Sequence, residues 1–279
     1  PALLRQSSES LAGRLETVSI GGLSLSDVGE KSHSMHWFRG GFPLSFLATS
    51  DTESAAWRKN FIRTFLERDI PQLGILTPAQ TLFRFWTMLA HYHGQVWNAA
   101  EPARSLGLNE STIRRYLDLL EGVFMMRQLP PWYENLKKRQ IKSPKVYFRD
   151  SGLLHQLMGI RGQKDLLTHP KCGASWEGYV IEELLTASRP DEAYFWGTHA
   201  GAEIDLLLFK DGRRIGVEIK RADAPRMTPS MRIAMTDLKL ERLIVIYPGE
   251  RRYALTEKVD VLPLSVMMTE EKGMDLFSS

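Results

Sequence analysis

The chain has 279 residues, of which 43% are hydrophobic and 25% charged, a balance that can bury sizeable cores over roughly two domains. No run approaches the roughly 20 apolar residues that span a bilayer, so no membrane association is expected; Cys172, the single cysteine, excludes a disulfide scaffold and fits a reducing, cytoplasmic compartment. The net charge of +3 is unevenly placed: residues 101–150 hold ten Lys/Arg against six Asp/Glu, and Lys137, Lys138, Arg139, Lys142 and Lys145 run there without an acid among them. Such a patch suits phosphate, or simply a solvated turn.

The start, Pro1-Ala2-Leu3-Leu4-Arg5, is neither a signal peptide nor an initiating Met, so a processed or truncated piece is expected. Leu15 to Ile20 alternates as one strand, broken by Gly21-Gly22. With the turn at Arg39-Gly40-Gly41-Phe42-Pro43, residues 1–50 are too little to enclose a core and must lean on something else. Trp57, Phe61, Ile62, Phe65 and Leu66 recur at helical spacing and predict a helix over 52–70 that Pro71 stops. A second helix is predicted over 78–92, with Leu82, Phe85, Trp86 and Leu89 on one side and Gly94 past its end. A short helix from Ala99 to Leu106, a turn at Gly107 and a helix capped by Asn109 with the stripe Ile113, Leu117 and Leu120 make a helix-turn-helix pattern. Strands over 123–129 and 145–148 follow, separated by Pro130-Pro131 and the basic run. Together these predict a winged helix. Its second helix would turn Asn109, Ser111, Thr112, Arg114 and Arg115 outward, residue types that contact phosphates and base edges. Packing within a larger protein is the alternative use of such a unit. A short apolar helix around Leu153, Leu154, Leu157 and Met158 precedes a boundary between Gly159 and Gly173.

The sharpest chemical signal lies in residues 174–220. Strands over 202–209 and 214–219 flank Asp211-Gly212, a hairpin turn signal. A two-residue loop places Asp205 opposite Glu218 and Glu203 opposite Lys220, all on one face; a bulge would shift that register by one. Two carboxylates facing each other repel. A divalent cation removes the repulsion, and hard oxygen ligands with open positions suit Mg²⁺ or Mn²⁺, so Asp205 and Glu218 are the candidate metal ligands. Lys220 could orient or help deprotonate a water, or neutralise phosphate charge. On a helix from Ser175 to Leu185, Glu177 falls near the middle of the apolar arc and Glu182 and Glu183 on the polar side. An acid among apolar neighbours needs a partner, although a half-exposed Glu near a helix start is the ordinary alternative. His91 and His93, His33 and His36, and Cys172 carry no comparable pattern.

Glu177, Asp205 and Glu218-Ile219-Lys220 resemble the acid, Asp and E-x-K of the PD-(D/E)XK nuclease superfamily. The stretches Phe61–Ile70, Leu129-Pro130-Pro131-Trp132, Lys142–Leu154 and Gly201-Ala202-Glu203-Ile204-Asp205 resemble the predicted AAA+ superfamily ATPases of bacteria and archaea that carry a C-terminal domain of unknown function. The likeness runs from about Leu3 to Val266. It implies the order ATPase core, winged helix, nuclease-like domain. Leu11-Ala12-Gly13-Arg14 resembles the end of that core, and Gly40-Gly41-Phe42-Pro43 the entry to its helical lid. No G-x-x-x-x-G-K-[ST] occurs; Gly29-Glu30-Lys31-Ser32 lacks the glycines. No ATP site or ATP turnover is therefore expected of this chain.

The expected fold is α+β: residues 1–50 a remnant of ATPase core and lid, 51–158 a helical and winged-helix domain, 159–279 an α/β restriction-endonuclease-like domain. Two functions stand as alternatives. One is a metal-dependent phosphodiesterase acting on DNA through Glu177, Asp205, Glu218 and Lys220, with Arg114, Arg115, Lys137, Lys138, Arg139, Lys142 and Lys145 on nucleic acid. The other is a DNA- or protein-binding module with a vestigial nuclease fold. A missing or separate ATPase core is the further partner implied.

Overall fold

A computed structural model describes residues 20–74, 77–134 and 138–267. The strand expected from Leu15 falls outside them up to Ile20, and so does Lys137. The fold is mixed α+β, helical in its first part and built on a mixed six-stranded sheet in its second.

Three short helices, α1 (Leu25–Val28), α2 (His33–Arg39) and α3 (Pro43–Phe46), lead into α4 (Asp51–Thr64). Pro71 does not end α4. The helix widens into π turns over Phe65–Asp69 and continues through Ile70–Gln72. Proline has no N–H to return to the preceding turn, and its ring crowds that turn's carbonyl; the widening lies directly before Pro71 and makes room for it. α5 (Ala79–Tyr92) buries Leu82, Phe85, Trp86 and Leu89. Gly94, at φ +74, turns the chain into β1 (Gln95–Val96).

α6 (Ala100–Leu106) ends on Gly107 in the left-handed conformation, and the Asn109 side chain accepts from Thr112 N to start α7 (Glu110–Gly122). The strand expected from Val123 begins only at Met126: β2 is Met126–Leu129. Phe124 has φ +62, so residues 123–125 form the corner that reverses the chain out of α7. β2 pairs antiparallel with β3 (Lys145–Phe148), Leu129 opposite Lys145, and β1 takes the other edge of β3. Alternation along β3 divides its side chains between two cores. Val146 and Phe148 join Ile62, Trp86 and Leu120 in the helical core, while Tyr147 joins the core beneath the large sheet.

After α8 (Ser151–Leu157) and α9 (Gln163–Thr168) comes the long α10 (Cys172–Ser188). The sheet strands are β4 (Glu192–Gly197), β5 (Glu203–Lys210), β6 (Arg213–Ile219), β7 (Arg242–Tyr247), β8 (Tyr253–Thr256) and β9 (Val259–Pro263), in spatial order β4-β5-β6-β7-β9-β8. β6–β7 and β7–β9 are parallel and the other pairs antiparallel. One face packs Leu206, Leu208, Ile215, Val217 and Ile244 with α10 residues Trp176, Val180 and Leu184. The other packs Leu207, Leu243 and Val245 with Met231 and Ala234 of α11 (Pro229–Asp237).

The N-terminal segment leans on α10. Trp37 Nε1 donates to Ser175 Oγ (3.0 Å), and Leu25 N donates to Glu183 Oε2 (2.8 Å). His36 Nδ1 lies 3.0 Å from Tyr179 Oη. The helical wheel puts Glu183 on a solvent side, but this segment covers it and leaves it 8% exposed. Glu182 is taken by Arg127 and Arg149. No described helix is long and apolar enough to cross a membrane.

Candidate active site

The β5–β6 hairpin sets the site. Asp211 and Gly212 both have positive φ (+50 and +76), the conformation a two-residue turn requires and Asp-Gly readily adopts. The register runs from Lys210↔Arg213 to Leu206↔Val217, as counted from the sequence, and then the ladder opens. Against β4, Tyr194 faces Leu207 but Trp196 faces Ile204, so β5 carries one extra residue between those positions. Asp205 stands at this bulge, a device that re-aims a side chain. Its Oδ2 accepts from Ile219 N (2.8 Å).

Asp205 and Glu218 are both buried, at 7% and 4% exposure. Lys220 Nζ lies 2.5 Å from Glu218 Oε1, and Glu218 Oε2 is buried without a hydrogen-bond partner among the described residues. Burial and the Asp205 charge push the Glu218 carboxyl up to about 8, against the pull of Lys220. Burial first, then Asp205, push Glu177 up to about 7; Lys145 and Tyr147 pull the other way. Burial also raises Asp205. For Lys220, burial alone favours the neutral amine, but Glu218, Asp205 and Glu177 together outweigh it and raise the ammonium above its ordinary value. Glu177, Asp205, Glu218 and Lys220 thus form one electrostatic group.

Lys145 joins that group, and its expected place on nucleic acid is corrected. It is 3% exposed. Its Nζ lies 2.5 Å from Glu203 Oε1, 3.4 Å from Glu177 Oε1 and 3.9 Å from Asp205 Oδ1. A lysine is rarely buried unless paired, and three acids hold this one away from any phosphate. Tyr147, two residues on, donates from Oη to Glu177 Oε1 (2.6 Å). Glu203 faces Lys145 in place of the Lys220 partner the register suggested. Neither Tyr147 nor the role of Lys145 carries a signal in the sequence, because their contacts span 30 positions or more.

The remaining basic residues are scattered. Arg114 and Arg115 are exposed on α7, and Arg114 Nη2 reaches Glu110 Oε2 at 2.7 Å. Lys138 Nζ pairs with Asp237 Oδ2 of α11 at 2.6 Å. Arg139 and Lys142 are exposed. Lys142 and Arg114 share a groove of about 380 Å³ with Trp97, Asn98 and Gln128. His93 is a packing residue: Phe148 N donates to its Nδ1 (3.0 Å), and burial lowers its pKa to about 3.

Among the described residues no group of three or more His, Cys, Asp or Glu side chains is arranged to hold a metal ion. A two-carboxylate site is a smaller demand, and Mg²⁺ is commonly held by one or two carboxylates with water completing its shell. Among the described residues Glu218 Oε2 has no hydrogen-bond partner, and Asp205 Oδ1, the oxygen that Ile219 N does not use, lies 3.9 Å from Lys145 Nζ. Among the described residues the ion-pair partners of Glu177, Glu203, Asp205 and Glu218 are Lys145 and Lys220, so the fully ionised cluster has a formal excess of two negative charges, which one divalent cation cancels. The donor set fits such an ion.

Residues 30–164 match a family model described as Domain of unknown function (DUF8612), and residues 172–267 match one described as Domain of unknown function (DUF4143). The matches meet between Lys164 and Cys172, and the first takes in residues 30–50 together with the helices that follow. Two curated relatives, Uncharacterized protein Rv2008c of Mycobacterium tuberculosis and Uncharacterized protein Mb2031c of Mycobacterium bovis, are each 50% identical over 269 residues. Those residues are 96% of this chain and 61% of each relative, so the chain spans about three-fifths of the length of the curated relatives it matches. No solved structure matches.

Proposed function

We propose that residues 172–267 form a divalent-metal-dependent phosphodiesterase module acting on DNA. The observation that carries this reading is the buried Asp205–Glu218 pair beside Lys220, with Glu218 Oε2 left without a hydrogen bond among the described residues. In this reading Asp205 and Glu218 hold Mg²⁺ or Mn²⁺, and Glu177 assists directly or through water. The ion would supply a water of lowered pKa and offset charge on the phosphate. Lys220 keeps its proton at neutral pH, because its acidic neighbours raise its pKa. That favours orienting a water or neutralising phosphate over taking a proton.

The succession of α6, the Gly107 turn, α7 and the β2–β3 pair supports reading the helical half as a winged helix. Arg114, Arg115, Arg139 and Lys142 are among its exposed cations. The sequence likeness supports placing the chain in the C-terminal portion of a predicted AAA+ superfamily ATPase. The two curated relatives have length beyond the match in which a nucleotide-binding core would fit.

A second reading is favoured by Lys145. It satisfies three of the acids, as a structural ion network in a non-catalytic DNA- or protein-binding module would. Incubation of labelled DNA with Mg²⁺ or Mn²⁺ separates the two. The phosphodiesterase reading expects cleavage that Asp205→Asn abolishes and chelator stops. DNA binding without cleavage at any concentration of either metal would assign the cluster to structure.

A further inference from the structure

The acids of the site come from α10, β5 and β6, but one of its two lysines does not. Lys145 belongs to β3, within the stretch that matches a different family model. Lys145 and Tyr147 share one face of β3, and both engage the same oxygen, Glu177 Oε1, at 3.4 and 2.6 Å. That fixes the carboxylate's orientation. The ammonium is also 5.5 Å from the Phe195 ring centre, a distance at which an aromatic face attracts a cation. The lysine is therefore held on several sides, yet its 3.9 Å approach to Asp205 Oδ1 is directed at an oxygen that a metal would need.

We propose that Lys145 is a positioning residue that occupies the acid cluster as a resident counter-cation, so that a divalent metal binds in competition with it. This rests on the reading of Asp205 and Glu218 as metal ligands. Two like charges sharing Asp205 repel, and the repulsion is strong where water is excluded. The strand that carries Lys145 is also the central strand of the small sheet beside α7. Metal loading on one side is thereby tied to the placement of a strand on the other.

The test is Mn²⁺ binding, followed by the loss of the free-ion electron paramagnetic resonance signal at mildly alkaline pH. Wild type, Lys145→Met, Lys145→Arg, Tyr147→Phe and Asp205→Asn are compared, each checked for native melting. Lys145→Met should bind Mn²⁺ roughly tenfold more tightly or better, since it removes a nearby positive charge. Lys145→Arg and Tyr147→Phe keep that charge and should stay within about threefold of wild type. If Lys145→Met does not fold, Lys145→Gln retains a hydrogen-bond donor without the charge and should show the same tightening. A folded neutral variant with unchanged or weaker Mn²⁺ affinity overturns the inference alone, provided Asp205→Asn abolishes binding. Binding that survives Asp205→Asn, or no binding to wild type, sinks the metal reading and this inference with it.

Discussion

Glu218 Oε2 is buried with no hydrogen-bond donor among the described residues, and a buried polar atom left so costs about 1–3 kcal/mol. Burial, and after it the charge of Asp205, penalise ionisation there, which is why the Glu218 carboxyl is pushed up to about 8 and Glu177 to about 7. The sign for stability follows. A carboxyl whose pKa is raised on folding binds more protons folded than unfolded between its ordinary value and its raised one. Stability is then lost as pH rises through that window, by about 1.4 kcal/mol per pH unit for each such proton. Glu183, pushed up to about 7 by burial under the N-terminal segment, adds to the same trend. Metal-free protein should therefore be less stable at pH near 8 than near 5, measured by denaturant unfolding. Glu218→Gln should flatten part of that fall; an equally steep profile in the variant would remove Glu218 from the cause. Gly178 gives a second residue-scale test. A Cβ there would lie 2.2 Å from His93 Nε2 and 3.1 Å from Tyr147 Cδ1, and both rings are buried. Gly178→Ala should cost about 1–3 kcal/mol or more of unfolding free energy.

Elements were legible wherever a local signal fixed them. The Asp211-Gly212 turn set the hairpin register because its backbone conformation admits few residues, and the pairs from Lys210 to Leu206 follow from it. Asn109 and Gly107 likewise bounded α7 and α6 through capping chemistry. What the sequence did not carry is tertiary. The extra residue in β5 depends on how β4 pairs with it. Lys145 reads as one more member of a basic run until β3 is placed against α10. Phe124 cuts β2 short by adopting a conformation unusual for its type. The basic run itself divides by element: Lys145 is internal, Lys138 is tied to α11, and Arg139 and Lys142 remain exposed. If the exposed members meet DNA, affinity should fall with salt, with a slope near 0.9 per phosphate contact. Replacing Arg139, Lys142, Arg114 and Arg115 with Ala should flatten the slope measured by fluorescence anisotropy. An unchanged slope would return these cations to solvent or to a protein partner.

At the scale of the molecule, the helical half and the sheet half are joined through β3, whose alternate side chains enter different cores, and through the N-terminal helices packed on α10. The segment over 1–50, too short to enclose a core, leans on its own chain in its described part: Leu25, Trp37 and Phe38 are buried with α10 and the sheet. The sequence announced that need but not the surface that meets it, because Trp37–Ser175 and Leu25–Glu183 are contacts over more than a hundred positions. The acid cluster lies where β3, α10, β5 and β6 come together, and its excess negative charge is the feature on which the proposed chemistry depends. Anomalous diffraction from crystals soaked in Mn²⁺ tests that most directly. The account expects one peak within about 2.0–2.3 Å of both Asp205 Oδ1 and Glu218 Oε2, lost in Asp205→Asn. A well-ordered site with no peak there, the two carboxylates still held by Lys145, Lys220 and Ile219 N, would contradict it.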